Sequence, residues 1–125
     1  MRRSADRRHV AGRQAERRAA AMYRGLGYLI VAQNWRCRFG ELDLIVQSAR
    51  HLVFVEVKAR RNALFGGPGA AVSRAQRERI CTTAECFVNA HPGYAEPDGL
   101  SIRFDVVLIC GRTVERVEGA FDVDG

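Results

Sequence analysis

The chain has 125 residues, 47% of them hydrophobic, which is enough for one domain with a single hydrophobic core. Its net charge of +6 suits a polyanionic partner, with nucleic acid ahead of an anionic membrane. No stretch approaches the ~20 apolar residues of a membrane span, and no apolar segment follows the charged N-terminus, so we expect a cytoplasmic protein without membrane contact.

Hydrophobic periodicity predicts a helix followed by three strands in the first half of the chain. Apolar residues recur at helical spacing over residues 4–25, and Gly25 and Gly27 end that helix. The strands that follow have apolar or alternating patterns and cover residues 28–35, 41–47 and 52–59.

The second half of the chain begins with a glycine-rich loop over residues 62–69. A helix over residues 73–90 then starts with a capping box formed by Ser73 and Gln76. A buried strand follows over residues 102–110, and a short edge strand is predicted over 113–117. This order predicts a mixed α/β sandwich around a central sheet. We expect one domain over residues 1–125, with a core from about 12 to 110 and a loose C-terminal tail.

Four cysteines are spread along the chain without C-x-x-C spacing and without neighbouring histidines: Cys37, Cys81, Cys86 and Cys110. A zinc site is therefore not expected. Buried free thiols in a reducing cytoplasm are the expected state of these residues.

Acidic residues and the only lysine gather on two neighbouring predicted strands. Glu41 and Asp43 share one face of their strand, and Glu56 and Lys58 share one face of the next. If the strands pair, Asp43 and Glu56 converge with Lys58 one pleat further on. Converging carboxylates repel each other unless a cation lies between them, and a magnesium ion needs only one or two of them. Such an ion activates a phosphate and a bound water, while the lysine ammonium positions water or stabilises negative charge.

Simpler interpretations of these charged residues remain open. Asp43, Glu56 and Lys58 would equally form a cross-strand ion network on a solvated face, although their apolar neighbours indicate interior strands. Glu41 is either a further ligand or the salt-bridge partner of an arginine such as Arg38. Asp105 and Arg103, two residues apart on a buried strand, are interpreted as a structural pair.

Asp43 followed by Glu56-Val57-Lys58 matches the signature of the PD-(D/E)xK nuclease superfamily. More narrowly, three segments resemble the bacterial YraN family of resolvase-like proteins, together with Gly12 and Glu16 on the first helix. The segments are residues 40–45 (GELDLI), 54–60 (FVEVKAR) and 103–107 (RFDVV). The resemblance covers residues from about 12 to 109, which is most of the chain.

This resemblance implies a restriction-endonuclease-like three-layer sandwich with a mixed central sheet flanked by helices. It implies Mg²⁺ or Mn²⁺ as cofactor, Asp43 and Glu56 as metal ligands, Lys58 as the catalytic lysine and Glu16 as a supporting acid. Gln76 stands where many relatives place a lysine. Its neutral amide cannot supply charge to a phosphate, so a role in orienting water or in packing is all that is expected of it.

The expected function is a metal-dependent endonuclease that hydrolyses phosphodiester bonds in DNA, with branched or junction DNA suggested by the resemblance to resolvases. Arg60, Arg61 and Arg74 flank the glycine-rich loop and are the candidate phosphate contacts. The alternative is a non-catalytic nucleic-acid-binding module accessory to recombination or repair, and a protein-interaction role is the third hypothesis. A homodimer is compatible with the resemblance.

Overall fold

A computed structural model shows a five-stranded sheet between two helices. It describes the backbone of residues 3–60, 72–94 and 99–122, and the side chains of these ranges from residue 12 onward. The elements are, in chain order, α1 (Arg3–Gly25), β1 (Leu29–Cys37), β2 (Gly40–Gln47), β3 (His51–Arg60), α2 (Arg74–Ala90), a 3₁₀ turn (Pro92–Tyr94), β4 (Ser101–Cys110) and β5 (Thr113–Phe121). The predicted order is therefore found, with β5 continuing to Phe121 instead of ending near Val117.

The strands lie side by side in chain order from β1 to β5. Three neighbouring pairs are antiparallel, whereas β3 and β4 are parallel. A parallel pair requires a long crossover connection, and the segment that contains α2 provides it. The sheet is mixed, as predicted, and the helices lie on its two faces.

Alternating side chains of β3 show how the layers are held together. Leu52 and Phe54 pack in the hydrophobic cluster that includes α2, and Val53 and Val55 pack in the cluster that includes α1. Strand side chains point alternately to the two faces of a sheet, so one strand supplies both cores. Full burial of each such side chain contributes about 1.5–3 kcal/mol before the entropic cost of folding. The three-layer α/β sandwich follows from this pattern.

A buried carboxylate on β4 connects this strand to α1 and to the neighbouring strand β5. Asp105 is fully buried and accepts hydrogen bonds from the Tyr23 hydroxyl at 2.7 Å, from Arg103 Nε at 2.8 Å and from the Gly119 N–H at 3.0 Å. Burial, together with the neighbouring Asp105 charge, raises the pKa of Tyr23. The predicted Arg103–Asp105 pair is thus present, and its partners give it a structural role.

The structure also bears on the cysteines and on membrane contact. All four cysteines are half-buried, and none forms a disulfide. Within the described ranges, no helix has the length and apolar character needed to cross a membrane.

Candidate metal centre

The strands β2 and β3 stop pairing where their acidic residues begin. Their antiparallel register runs from Gln47–Leu52 to Leu44–Val55, one position short of Asp43 and Glu56. There the N–H of Val57 donates to Asp43 Oδ2 at 2.8 Å, so a side chain takes the place of a strand-to-strand backbone bond. A cavity of about 350 Å³ lies at this point, lined by Gly40, Glu41, Glu56, Lys58, Gln76, Arg79 and Ile80.

Three carboxylates from two layers of the fold converge beside this cavity. Glu16 on α1 and Glu41 and Asp43 on β2 each place an oxygen within 4.8 Å of the others, and all three are half-buried. The side chain of Asn34 on β1 hydrogen-bonds to Glu16. Burial, followed by the charge of Asp43, raises the pKa of Glu16 despite this hydrogen bond.

The carboxyl groups of Asp43 and Glu56 interact electrostatically. Burial and the charge of Glu56 raise the pKa of Asp43 to about 7, although the Val57 N–H acts in the opposite direction. The ammonium of Lys58 lies 3.5 Å from Glu56 Oε1, and both side chains are more than four-fifths buried. The structure therefore brings Asp43, Glu56 and Lys58 together.

This donor set fits a hard divalent cation. All its potential ligands are carboxylate oxygens, the type that Mg²⁺ and Mn²⁺ prefer, and their mutual repulsion is what a cation between them would relieve. The group within 4.8 Å consists of Glu16, Glu41 and Asp43, whereas Glu56 lies outside this group and acts on Asp43 through its charge. Of the four acids, Glu41 and Glu56 line the cavity, and Glu16 and Asp43 lie within reach of Glu41.

The salt bridge of Glu41 differs from the one that was expected. Its partner is Arg36, whose Nε lies 2.6 Å from Glu41 Oε2, and Arg38 instead lies over the ring of Phe39. The physical reason is register, because Arg36 is directly opposite Glu41 across β1 and β2. Glu41 consequently belongs to the carboxylate group and to an exposed ion pair at the same time.

The remaining candidate residues lie outside the carboxylate group. Gln76 lines the cavity, but its side-chain oxygen accepts the Ser73 N–H at 2.9 Å and so completes the predicted capping box. Arg74 is exposed and pairs with Glu78 at 3.4 Å, one helical turn along α2. Arg60 donates to the carbonyl of the adjacent Ala59. Arg61 and the glycine-rich loop 62–69 lie outside the described residues.

Arg79 is a cavity residue that the sequence analysis missed. It lines the same cavity as Glu56 and Lys58, and within the described ranges its guanidinium makes no ion pair. Its stem lies over Gly40, where an added Cβ would come within 3.2 Å of Arg79 Cγ. The sequence contained one indication of this position. Arg79 is three residues after Gln76, so the two side chains lie on the same side of α2.

A second cavity of about 460 Å³ lies at the other end of β2, where Gln47, His91 and Tyr94 are among its lining residues. Its described lining contains no carboxylate and no lysine or arginine. The groups suited to metal and phosphate chemistry are therefore concentrated at the smaller cavity.

The fold and the cavity define a three-layer mixed α/β protein with a candidate carboxylate metal centre at the end of its central strands. The chain belongs to the uncharacterised protein family UPF0102, the YraN family, whose model matches residues 15–109. Its relatives include UPF0102 proteins from Nitrobacter winogradskyi (42% identity over 113 residues, 90% of this chain and 92% of the relative) and Nocardia farcinica (45% over 104 residues, 82% and 77%). Another, from Ralstonia nicotianae, is 41% identical over 119 residues, which cover 92% of this chain and 88% of the relative.

Proposed function

We propose that this protein is a divalent-metal-dependent endonuclease that hydrolyses phosphodiester bonds in DNA. The observation that carries the proposal is the convergence of Glu16, Glu41 and Asp43 within 4.8 Å, beside the Glu56–Lys58 pair. Gathering partly buried acids opposes folding, as the raised pKa values of Asp43 and Glu16 indicate, and such arrangements are concentrated at functional sites. A purely structural network would more simply alternate acids with bases.

The cofactor that these oxygens fit is Mg²⁺ or Mn²⁺. Asp43 and Glu56 would hold the ion, with Glu16 and Glu41 close enough to contribute directly or through water. When bound, it supplies polarisation of the scissile phosphate and acidification of a water molecule.

The side chains around the cavity supply the remaining functions. Lys58 holds its ammonium beside Glu56, where it orients a water molecule or stabilises negative charge on a phosphoryl oxygen. Without the ion Asp43 has a pKa of about 7, so it gives up a proton when it becomes a ligand. Arg79, at the opposite wall of the cavity, presents its guanidinium to a phosphate of the substrate backbone.

The choice of DNA as substrate rests on charge and on the family resemblance. The net charge of +6 favours association with a polyanion. A branched or junction substrate rests on the resemblance to resolvases, and so does a homodimer that would cut two strands symmetrically. A cytoplasmic site of action is proposed because the free thiols suit a reducing compartment.

The test is a nicking assay on supercoiled, linear and branched DNA with Mn²⁺ or Mg²⁺. The unaltered protein is compared with Lys58→Ala and Glu56→Gln, and Arg112→Ala, at an exposed arginine between β4 and β5, serves as the control. We expect cleavage that stops in EDTA and falls at least about 100-fold in the first two variants but not in the control. Equal cleavage by all four proteins contradicts the assignment of the site, and no cleavage by the unaltered protein contradicts the proposed activity.

One outcome supports the alternative of a nucleic-acid-binding module. It is salt-sensitive DNA binding that persists in Lys58→Ala and Glu56→Gln while the unaltered protein cleaves none of the substrates. Binding and cleavage are therefore measured on the same DNA.

A further inference from the structure

An aromatic side chain lies in the turn that leads into the acidic cavity. Cys37 and Gly40 are paired across β1 and β2, so Arg38 and Phe39 form the two-residue turn between these strands. The Phe39 side chain remains 43% exposed. The next two residues along the chain, Gly40 and Glu41, line the cavity. Phe39 is therefore an exposed apolar group at the rim of a cavity lined by charged side chains.

Contacts on both sides of Phe39 hold the turn in place. Its N–H donates to Cys37 Sγ at 3.4 Å. Gly40 lies against α2, where an added Cβ would come within 3.1 Å of Thr83 Oγ1 and 3.2 Å of Arg79 Cγ. The turn is thus packed on the helix that supplies the opposite wall of the cavity, and this packing fixes the position of Phe39 beside it.

A positive charge accompanies the aromatic ring. The guanidinium carbon of Arg38 lies over the Phe39 ring, 4.7 Å from its centroid. Arg38 is exposed, and within the described ranges it forms no ion pair, whereas Arg36 pairs with Glu41. The turn presents an aromatic surface and a cation side by side. These are the groups that contact the base and the phosphate of a nucleotide.

Stacking on Phe39 requires a base with an open face. In a continuous duplex both faces of each base are covered by its neighbours, and exposing one requires unstacking and unpairing. A base in a mismatch, a bulge or a single-stranded stretch avoids most of that cost. The ring therefore contributes to binding only when the DNA offers such a base close to the phosphate in the cavity.

We propose that Phe39 makes the acidic cavity selective for DNA with an unpaired base beside the bound phosphate, because its ring stacks on that base. Arg38 covers the ring from one side and contacts a neighbouring backbone phosphate. The inference rests on the proposed function, since it requires that the cavity takes a DNA backbone. It goes further by naming the substrate feature that is recognised, which is an unpaired base and not the branching of strands.

The chain provides a matched control in Ile102. Its side chain is 46% exposed, close to the value for Phe39, but it lies near the start of β4. Because β3 and β4 are parallel and the cavity residue Glu56 lies opposite Val106, the cavity is further along these strands. Truncation of Ile102 removes a similarly exposed apolar group at a distance from the cavity.

The experiment measures binding separately from cleavage. Fluorescence anisotropy gives the Kd for a fully paired duplex and for the same duplex with a short mismatched segment that contains 2-aminopurine, whose quenching reports stacking. The titrations use Ca²⁺, which carboxylate oxygens also bind, and the DNA is checked to be intact afterwards. The unaltered protein is compared with Phe39→Ala, Phe39→Leu, Phe39→Trp and Ile102→Ala, each checked for native circular dichroism.

We expect the unaltered protein to prefer the mismatched duplex by about 5-fold or more and to quench its 2-aminopurine. Phe39→Ala and Phe39→Leu should lose the preference and the quenching, with a change of less than about 2-fold in the Kd for the paired duplex. Phe39→Trp, which keeps an aromatic ring, and Ile102→Ala should retain both properties.

The inference is overturned if the unaltered protein binds both duplexes equally, if Phe39→Ala keeps the preference, or if Ile102→Ala loses it. These results concern Phe39 alone, because cleavage is measured in the nicking assay. Absence of binding to either duplex overturns both this inference and the choice of DNA as substrate. A Phe39-dependent preference in a protein that cleaves no DNA supports the inference and contradicts only the proposed nuclease activity.

Discussion

The backbone N–H of Val57 and the side chain of Asp43 form the contact at which β2 and β3 separate, with a donor–acceptor distance of 2.8 Å. The bond holds the carboxyl group against β3, next to Glu56. An amide oxygen accepts such a bond as well as a carboxylate does. Asp43→Asn therefore removes the charge but keeps the side chain in place.

Asp43→Asn should therefore stabilise the protein increasingly as the pH rises. The folded-state pKa of about 7 lies above the ordinary value of 3.8, so the unfolded chain loses this proton first. Stability from the protonated group is present below about pH 4 and is lost as the pH rises through 7. We expect the variant to gain about 2 kcal/mol over the unaltered protein between pH 5 and pH 8, or roughly 5–10 °C in Tm. Thermal unfolding of both proteins in metal-free buffer at pH 5 and pH 8 measures this gain.

The control for this prediction is Asp122→Asn, which alters an exposed carboxylate just after β5. Its Tm difference from the unaltered protein should be small and nearly constant between pH 5 and pH 8. A parallel change in the two variants would mean that net charge, rather than the repulsion around Asp43, determines the pH dependence.

Divalent metal should raise the Tm of the unaltered protein, and more so at pH 8 than at pH 5. Binding requires deprotonated carboxylates, which the raised pKa values of Asp43 and Glu16 disfavour in acid. At a metal concentration of 100 times Kd, the expected stabilisation is about 2.7 kcal/mol. Glu16→Gln should reduce it, whereas Glu118→Gln, on the surface of β5, should not. If metal raises the Tm of Glu16→Gln as much as that of the unaltered protein, Glu16 does not contribute to metal binding.

Arg79→Ala should weaken DNA cleavage more than Arg74→Ala, although both remove one positive charge from α2. Arg79 lines the acidic cavity, and Arg74 pairs with Glu78 on the exposed side of the helix. We expect a loss of about 10-fold or more in kcat/KM for Arg79→Ala, partial recovery in Arg79→Lys, and less than about 3-fold for Arg74→Ala. Equal losses in both alanine variants would indicate a general charge effect.

Asp105→Asn should destabilise the fold by about 3 kcal/mol, because it leaves the Arg103 guanidinium largely buried beside a neutral group. Glu118→Gln is the matched control, since Glu118 binds the same Arg103 at 2.8 Å but is 55% exposed. Its cost should stay below about 1 kcal/mol. Urea unfolding of both variants measures the difference, and similar costs would show that Asp105 does not tie the layers together.

Much of the fold was predictable because its strands are buried and alternate regularly. Val53, Phe54 and Val55 fill both cores from one strand, so their pattern predicted β3 and its two covered faces. The convergence of Asp43 and Glu56 was predictable for the same reason, since it requires only that consecutive strands pair. Their roles as metal ligands stay predictions.

The features that were missed depend on register and on contacts between layers. Arg36, not Arg38, meets Glu41 because of the pairing offset between β1 and β2, which the sequence does not display. The position of Arg79 depends on how α2 crosses Gly40. β5 is longer than predicted because Phe121 pairs with Phe104 on β4 and stacks on its ring. The sequence does not show which residue of β4 lies opposite Phe121.

The left-handed backbone of Asn34, with φ of 52°, has a consequence away from the cavity. β1 is at the margin of the sheet, where a long regular strand would offer its free amide and carbonyl groups to another molecule. The positive φ of Asn34 interrupts the regular row of amide and carbonyl groups near the middle of β1. A strand from another molecule therefore cannot pair along the whole edge. The residue that bonds to Glu16 thereby also opposes aggregation through this margin.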